Sequence, residues 1–402
     1  MLYSASPAIG NAVACSRPLR LFSSILALSF LLGCGSGKAP VASTPPVPSP
    51  APAPSPAPTP STTKAPIHGL VSMGSLAFSG KPGTLPDNSM EEINAHPAIY
   101  SGAVINLLWS QLEPQQGTFD DSALNDALAT IALYNAKYPG TPVAAKLRIN
   151  VGVGTPAWVM QLTGGPITIS GTNGTFPIAA YWSPAWKSAW QALQVHLAGE
   201  YDTTSTIAEV AISSCSSVSD EPFITSLDST SLPNMRQFGY SDTADMNCLL
   251  GASEDYSAWS HTPLDFTFNT FRSSDACTTA NTTNCITEVP TFTVQVMDAF
   301  RAALTSSRAV VANHGLQNPL APAAVPVYAE FQNLYNEAQA QTPPSNSPLE
   351  FQSYSPAVNW DSAIQLGLTY HPTEIEIWNT TAAGGPANLT AAQLQSYAAE
   401  LQ

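Results

Sequence analysis

The sequence predicts an α/β fold of the (β/α)8 TIM-barrel type, held behind an N-terminal export segment and a disordered proline-rich linker. Three observations predict it. From residue 67 onward, short apolar runs and helically spaced segments take turns until the end of the chain. The stretch is long enough for one large domain. No glycine-rich phosphate turn follows any apolar run, which counts against the competing open, doubly wound sheet.

The elements follow in order. A first strand at 69–74 precedes a helix at 89–95. Residues 102–108, Gly-Ala-Val-Ile-Asn-Leu-Leu, form a short apolar run, as a strand buried on both faces requires. Helical spacing then recurs over 122–138 at Leu124, Ala127, Leu128, Ile131, Leu133 and Tyr134. Residues 143–153 are a third apolar run, interrupted at alternate positions by Lys146 and Arg148. A long helix at 184–201 carries Trp186, Trp190, Leu193 and Leu197 on its buried side, and 207–212 is the next strand. The stretch 222–261 reads as a loop-rich insertion. Beyond it come strands at 264–268, 309–312, 349–353 and 374–378, with helices at 292–304, 325–340, 360–368 and 389–401.

The first 33 residues lie outside the fold. Arg17 and Arg20 precede a twelve-residue apolar run, 21–32. Such a run is too short to span a bilayer, which takes about 20 residues, but it has the length of a signal-peptide apolar region. It ends in Leu31-Leu32-Gly33-Cys34, which resembles the bacterial lipobox. The resemblance implies a lipoprotein signal peptide over 1–33 and a lipid on Cys34. Gly35 after the cysteine implies the outer membrane. Residues 34–66 are a Pro/Ala/Ser-rich tether. Proline lacks the N–H a helix or ladder needs, so the tether is an extended spacer of about 3.1 Å per residue. The domain at 67–402 is thus expected to touch the membrane only through its lipid, and to be a monomer.

Charge narrows the partners. The chain has 13 basic and 28 acidic residues; losing Arg17 and Arg20 leaves 11 against 28, a formal charge of −17. With no basic stripe, nucleic acid is a poor partner. No motif argues for a metal or an organic cofactor. Four cysteines remain in the domain: Cys215, Cys248, Cys277 and Cys285. An even number in an oxidising compartment reads as disulfides. The short Cys277–Cys285 loop favours that pair, which would leave Cys215 with Cys248, although loop length does not fix the connectivity; a zinc site lacks both a CxxC and a nearby histidine pair.

Two segments carry a family resemblance. Trp109-Ser-Gln-Leu-Glu-Pro-Gln-Gln-Gly-Thr-Phe-Asp120 follows the second strand, and Arg148-Ile-Asn-Val-Gly-Val-Gly-Thr-Pro-Ala-Trp-Val159 spans the end of the third. Together they resemble segments of retaining (β/α)8-barrel glycoside hydrolases, particularly the β-galactosidase-like branch. The resemblance implies cleavage of a poly- or oligosaccharide by two carboxyl groups at the C-terminal ends of the strands.

After the fourth strand, Ser213-Ser-Cys-Ser-Ser-Val-Ser-Asp-Glu221 places Glu221 where such hydrolases carry their acid/base, with Asp220 in place of the usual asparagine. An acidic pair in a solvent-facing loop is the plainer alternative. On the seventh strand Glu350 and Gln352 share a face, Gln352 standing where a nucleophilic glutamate is expected and Glu350 one layer deeper. On the eighth, Glu374, Glu376 and Trp378 share a face. The nucleophile is either Glu350 or Glu376, and each equally reads as a buried carboxylate paired with Lys146 or Arg148. Glu113, followed by Pro114 and Gly117, reads as a turn residue. His314 would bind a sugar hydroxyl or brace its loop. Trp109, Trp158, Trp182 and Trp378 fall at strand ends as sugar platforms, whereas Trp186 and Trp190 belong to a helix core. These residues favour a surface-anchored glycoside hydrolase; a non-catalytic glycan-binding or structural lipoprotein on the same scaffold is the alternative.

Overall fold

The computed structural model describes residues 63–74, 89–171, 174–278, 285–305, 307–341, 348–353, 359–378 and 389–401. The signal segment, Cys34 and the tether up to residue 62 lie outside the described residues.

Eight strands close into one parallel barrel: β1 Gly69–Met73, β2 Tyr100–Leu108, β3 Ala144–Asn150, β4 Ile207–Ala211, β5 Leu264–Thr267, β6 Ala309–Leu316, β7 Leu349–Ser353 and β8 Glu374–Trp378. Each pairs with its neighbours in sequence, and β8 closes on β1 with Val71 opposite Glu376 and Met73 opposite Trp378. Helices α1 Ser89–Ala95, α2 Ser122–Lys137, α3 Pro184–Tyr201, α4 Asp242–Leu250, α5 Pro290–Ala303, α6 Val325–Gln339, α7 Trp360–Leu368 and α8 Ala391–Glu400 accompany the strands in turn. The expected (β/α)8 fold is therefore present. Among the described residues no helix is long and apolar enough to cross a membrane.

Alternation along each strand sorts side chains between the barrel interior and the helix layer. In β3, Ala145, Leu147 and Ile149 join the apolar layer under the helices, while Lys146 and Arg148 make their ion pairs inside the barrel. Outside, Trp186 and Trp190 of α3 stack at 5.7 Å and meet Trp109 edge-on at 5.6 and 5.0 Å.

One expectation is corrected. The stretch read as loop-rich, 222–261, holds helix Ser231–Gln237, α4 and a 3-10 turn Ala252–Tyr256. Ser241 caps α4 by accepting from the Ala244 N–H, and Leu249 is buried. The Asp245 carboxylate on α4 accepts from the hydroxyls of Tyr181 and Tyr240 at 3.1 and 3.0 Å. Tyr181 lies 64 residues from Asp245, and a partner so distant in sequence leaves no periodic signal. A hairpin, Ile167–Gly171 with Gly174–Ile178, also sits between β3 and α3. Both disulfides form as expected, Cys215–Cys248 and Cys277–Cys285.

Candidate active site

The barrel interior is charged to an unusual degree. Among the described residues, Lys146, Arg148 and His314 contact seven carboxyls: Glu209, Asp220, Glu221, Asp265, Glu350, Glu374 and Glu376. The Lys146 ammonium is sealed from solvent, with carboxylate oxygens of Glu374, Asp265, Glu376 and Glu209 at 2.6, 2.7, 3.0 and 3.2 Å. Arg148 sits one layer nearer the strand ends. Its Nη2 lies 2.7 Å from Glu376 and its Nε 3.1 Å from Asp220.

With fewer cations than carboxyls, not every acid can ionise in a dry interior. Burial, reinforced by Glu209, pushes Glu374 well above the ordinary carboxylate range. Burial also raises Glu209, although Lys146 opposes the shift. Glu376 goes the other way: burial disfavours its charge, but Arg148 and then Lys146 outweigh burial and hold it down to about 2.

At the C-terminal ends of the strands a second group assembles. His314 of β6 lies between two glutamates, with Nδ1 3.0 Å from Glu221 and Nε2 3.3 Å from Glu350 of β7. Thr267, ending β5, stands 3.2 Å from the same Nε2, and Asn269 donates to Glu221 at 3.1 Å. The Glu221 side chain keeps 22% of its surface exposed, whereas Glu350 is fully buried. Beyond this His314 pair, neither oxygen of Glu350 has a hydrogen-bond partner among the described residues. Burial and then Glu376 push its carboxyl up to about 7, against the pull of His314. Burial would raise Glu221 too, but His314 outweighs it and holds Glu221 below its ordinary value. Burial opposes the His314 charge, yet Glu221 and Glu350 together push its pKa up to about 10.

Small residues make this arrangement possible. A Cβ on Gly152 would meet the Ser217 carbonyl oxygen at 2.5 Å, so only glycine lets the loop after β4 lie this close to β3. Within that loop Glu221 N–H donates to Ser219 Oγ, and Ser226 N–H to Ser217 Oγ. The Cys215–Cys248 disulfide fastens the loop to α4.

The other sequence candidates divide. Gln352 and Trp378 stand beside Glu376. With its amide nitrogen turned to Glu376 Oε2, Gln352 donates at 2.8 Å, while its oxygen accepts from the Trp378 indole at 3.3 Å. The reverse orientation would gain a long 3.4 Å bond from Arg148 Nη1 but would set the Gln352 oxygen against Glu376 and its nitrogen against the Trp378 N–H. Trp158 and Trp182 are half-buried, their indoles donating to the Glu113 and Phe238 carbonyls. Trp109 is corrected. It is wholly buried beneath Trp158, Trp186 and Trp190, and its indole donates to Glu113, so it is core and offers no sugar platform. Glu113 also accepts from the Gly117 N–H, bracing the turn as expected. Sequence reasoning missed Thr267 and Asn269, whose only signal is their place at the end of β5. Ligand atoms of His314, Glu350 and Glu376 all lie within 4.8 Å of one another. Glu376, however, is already shared by Arg148 and Lys146, which fits fixed cations better than a metal ion.

No protein-family model matches the chain, and no curated protein does. Solved structures do resemble it. Endo-glycoceramidase II from Rhodococcus sp., in a ganglioside GM3 complex, superposes with a TM-score of 0.50 at 11% identity, over 84% of this chain and 81% of its own. A GH5-4 broad-specificity endoglucanase from an uncultured bacterium gives 0.45 at 9% identity, over 84% and 96%. A β-galactosidase from Bacillus circulans sp. alkalophilus gives 0.46 at 11%, over 85% and 55%. At such identities the likeness is one of fold: the chain shares the (β/α)8 barrel of the endo-glycoceramidase.

Proposed function

We propose that this chain is a surface-anchored glycoside hydrolase that cleaves a poly- or oligosaccharide by a retaining mechanism, with Glu221 and Glu350 as its two carboxyls. The observation that carries the reading is the Glu221–His314–Glu350 array at the strand ends, two carboxyls of opposed charge preference around one imidazole. Glu376 is less suited to attack, because Arg148 and Lys146 already hold its carboxylate.

In this reading Glu221 transfers the proton and Glu350 attacks. Glu350 Oε forms a bond to the anomeric carbon as the glycosidic bond breaks, and Glu221 gives its proton to the departing oxygen. Water then adds to the anomeric carbon and releases Glu350, while Glu221 takes back a proton. Before substrate binds, Glu350 holds a proton more readily than Glu221. A bound sugar reverses this: covering the exposed edge of Glu221 raises its affinity for the proton, and positive charge developing at the anomeric carbon favours ionised Glu350. The pair must carry one proton in total, so kcat/KM falls above about pH 7, where Glu350 loses its own.

The test is a glycan panel followed by NMR of the first-formed product, for the wild type, Glu221→Gln and Glu350→Gln. Release of product with the substrate's own anomeric configuration, lost in both variants, supports the reading. Full turnover in Glu221→Gln sinks it, and saturable binding without product makes the chain a glycan-binding protein. Anchoring is tested separately: Cys34→Ser should move the chain from the membrane fraction to the soluble one.

A further inference from the structure

Resting on that reading of the mouth, we propose that Arg148 is a positioning residue that sets two parts of the sugar site, Glu221 and Trp378, at a fixed geometry to each other. Two arms run from its guanidinium. On one side Nε holds Asp220 at 3.1 Å, and Asp220 is the residue joined directly to Glu221. On the other, Nη2 holds Glu376 Oε1 at 2.7 Å. The second oxygen of Glu376 accepts from Gln352 at 2.8 Å, and Gln352 in turn accepts from the Trp378 indole at 3.3 Å. The loop after β4, β3, β7 and β8 are thereby tied through one cation.

The chemistry suits the task. A guanidinium offers planar, fixed donor directions, so partners on different nitrogens are held at a set angle; an ammonium is a point charge without that constraint. Asp220 and Arg148 are each 3% exposed, so their ion pair is little screened by water. An aspartate at 220, in place of the asparagine expected there, is what lets this arm be ionic. The half-buried Trp378 needs such a hold, because a stacking face is useful only when its plane is set relative to Glu221 and Glu350. A displacement of about 1 Å at a reacting centre can cost 10²-fold in rate.

The two arms make separable predictions for the full chain, with turnover and tryptophan-fluorescence titration read on one glycan substrate. Asp220→Ala cuts the Glu221 arm and should lower kcat by about ten-fold or more while raising KM less. Asp220→Asn, which can still accept from Arg148, should restore most of kcat. Gln352→Leu cuts the Trp378 arm and should weaken glycan binding about ten-fold, raising KM more than it lowers kcat. Arg148→Lys keeps the charge but loses the angle, and should show both defects with its thermal melt still cooperative. A purely structural Arg148 would leave kcat and KM of the folded variants at wild-type values with only the melting temperature lowered, and that result overturns the inference. A wild type that cleaves glycan while the Asp220→Ala and Gln352→Leu variants match it likewise refutes the positioning role alone. A wild type that neither binds nor cleaves any glycan removes the proposed function and this inference with it.

Discussion

Glu376 and Glu350 lie on adjacent strands of one barrel, both fully buried, yet one is held at about 2 and the other is pushed to about 7. Burial alone would raise both. The difference lies in their company. Glu376 has two permanent cations within 3.0 Å, whereas Glu350 has one histidine at 3.3 Å and, among the described residues, no further hydrogen-bond partner. The deep cluster around Lys146 is thus a charged scaffold, and the cluster around His314 keeps a proton available near neutrality. The contrast shows that neutralisation, more than depth, decides which carboxyl is free for chemistry.

Breaking the scaffold should have the largest effect. Lys146→Met leaves four buried carboxyls without their ammonium, and a loss of about 3–5 kcal/mol is expected in chemical denaturation. Stability equal to wild type would mean that those carboxyls are all neutral and the cage is not ionic. At the mouth the cost should fall on rate instead. Glu350→Gln should lower turnover by about 10²–10⁴-fold while its melting temperature at pH 7 holds or rises, because glutamine removes a charge that burial disfavours. Glu376→Gln should do the opposite to stability and lower the melt.

Stability against pH sharpens the contrast further. Between the ordinary 4.5 and about 7, folded Glu350 keeps a proton that the unfolded chain has released, so stability falls as pH rises through that window. Glu209 and Glu374, also raised, add to the same slope. Glu376 acts in reverse: its stabilisation is present above 4.5 and is lost as pH falls toward about 2. Each such proton contributes a slope of about 1.4 kcal/mol per pH unit. Melts across pH 3–8 should therefore be shallower on the upper side in Glu350→Gln and unchanged below 4.5; a change on the acid side alone would reverse the assignment. The smallest effect concerns His314. His314→Gln withdraws a cation from both glutamates, so both limbs of the kcat/KM profile should move up, by about one unit. Limbs that stay in place would show that the imidazole is uncharged at working pH.

Much of the fold was legible because the strands are buried on both faces and stand out as compact apolar runs. Strands β7 and β8 and helix α7 coincide with their expected limits, 349–353, 374–378 and 360–368. Helix α4 was not legible. Its nine residues are short for a helix to stand alone, and what secures it is Tyr181, Tyr240 and the disulfide to Cys215. Trp109 misled for a related reason. Its place after a strand suggested the mouth, but helix Trp109–Leu112 turns the ring onto the tryptophans of α3.

By itself the sequence determined the barrel, its acidic character, the loop length that favours one cysteine pairing, and the strand faces on which Glu350, Glu374 and Glu376 lie. Those follow from local properties: apolar periodicity, the two faces of a strand, and loop length. Only the tertiary structure decided how those carboxylates differ. Lys146 and Arg148 lie far along the chain from Glu376, and His314 from Glu221, so which acid meets a permanent cation and which meets an imidazole depends on closing the barrel. The charge of a buried carboxyl is set by neighbours within a few ångströms, and no spacing along the chain encodes that.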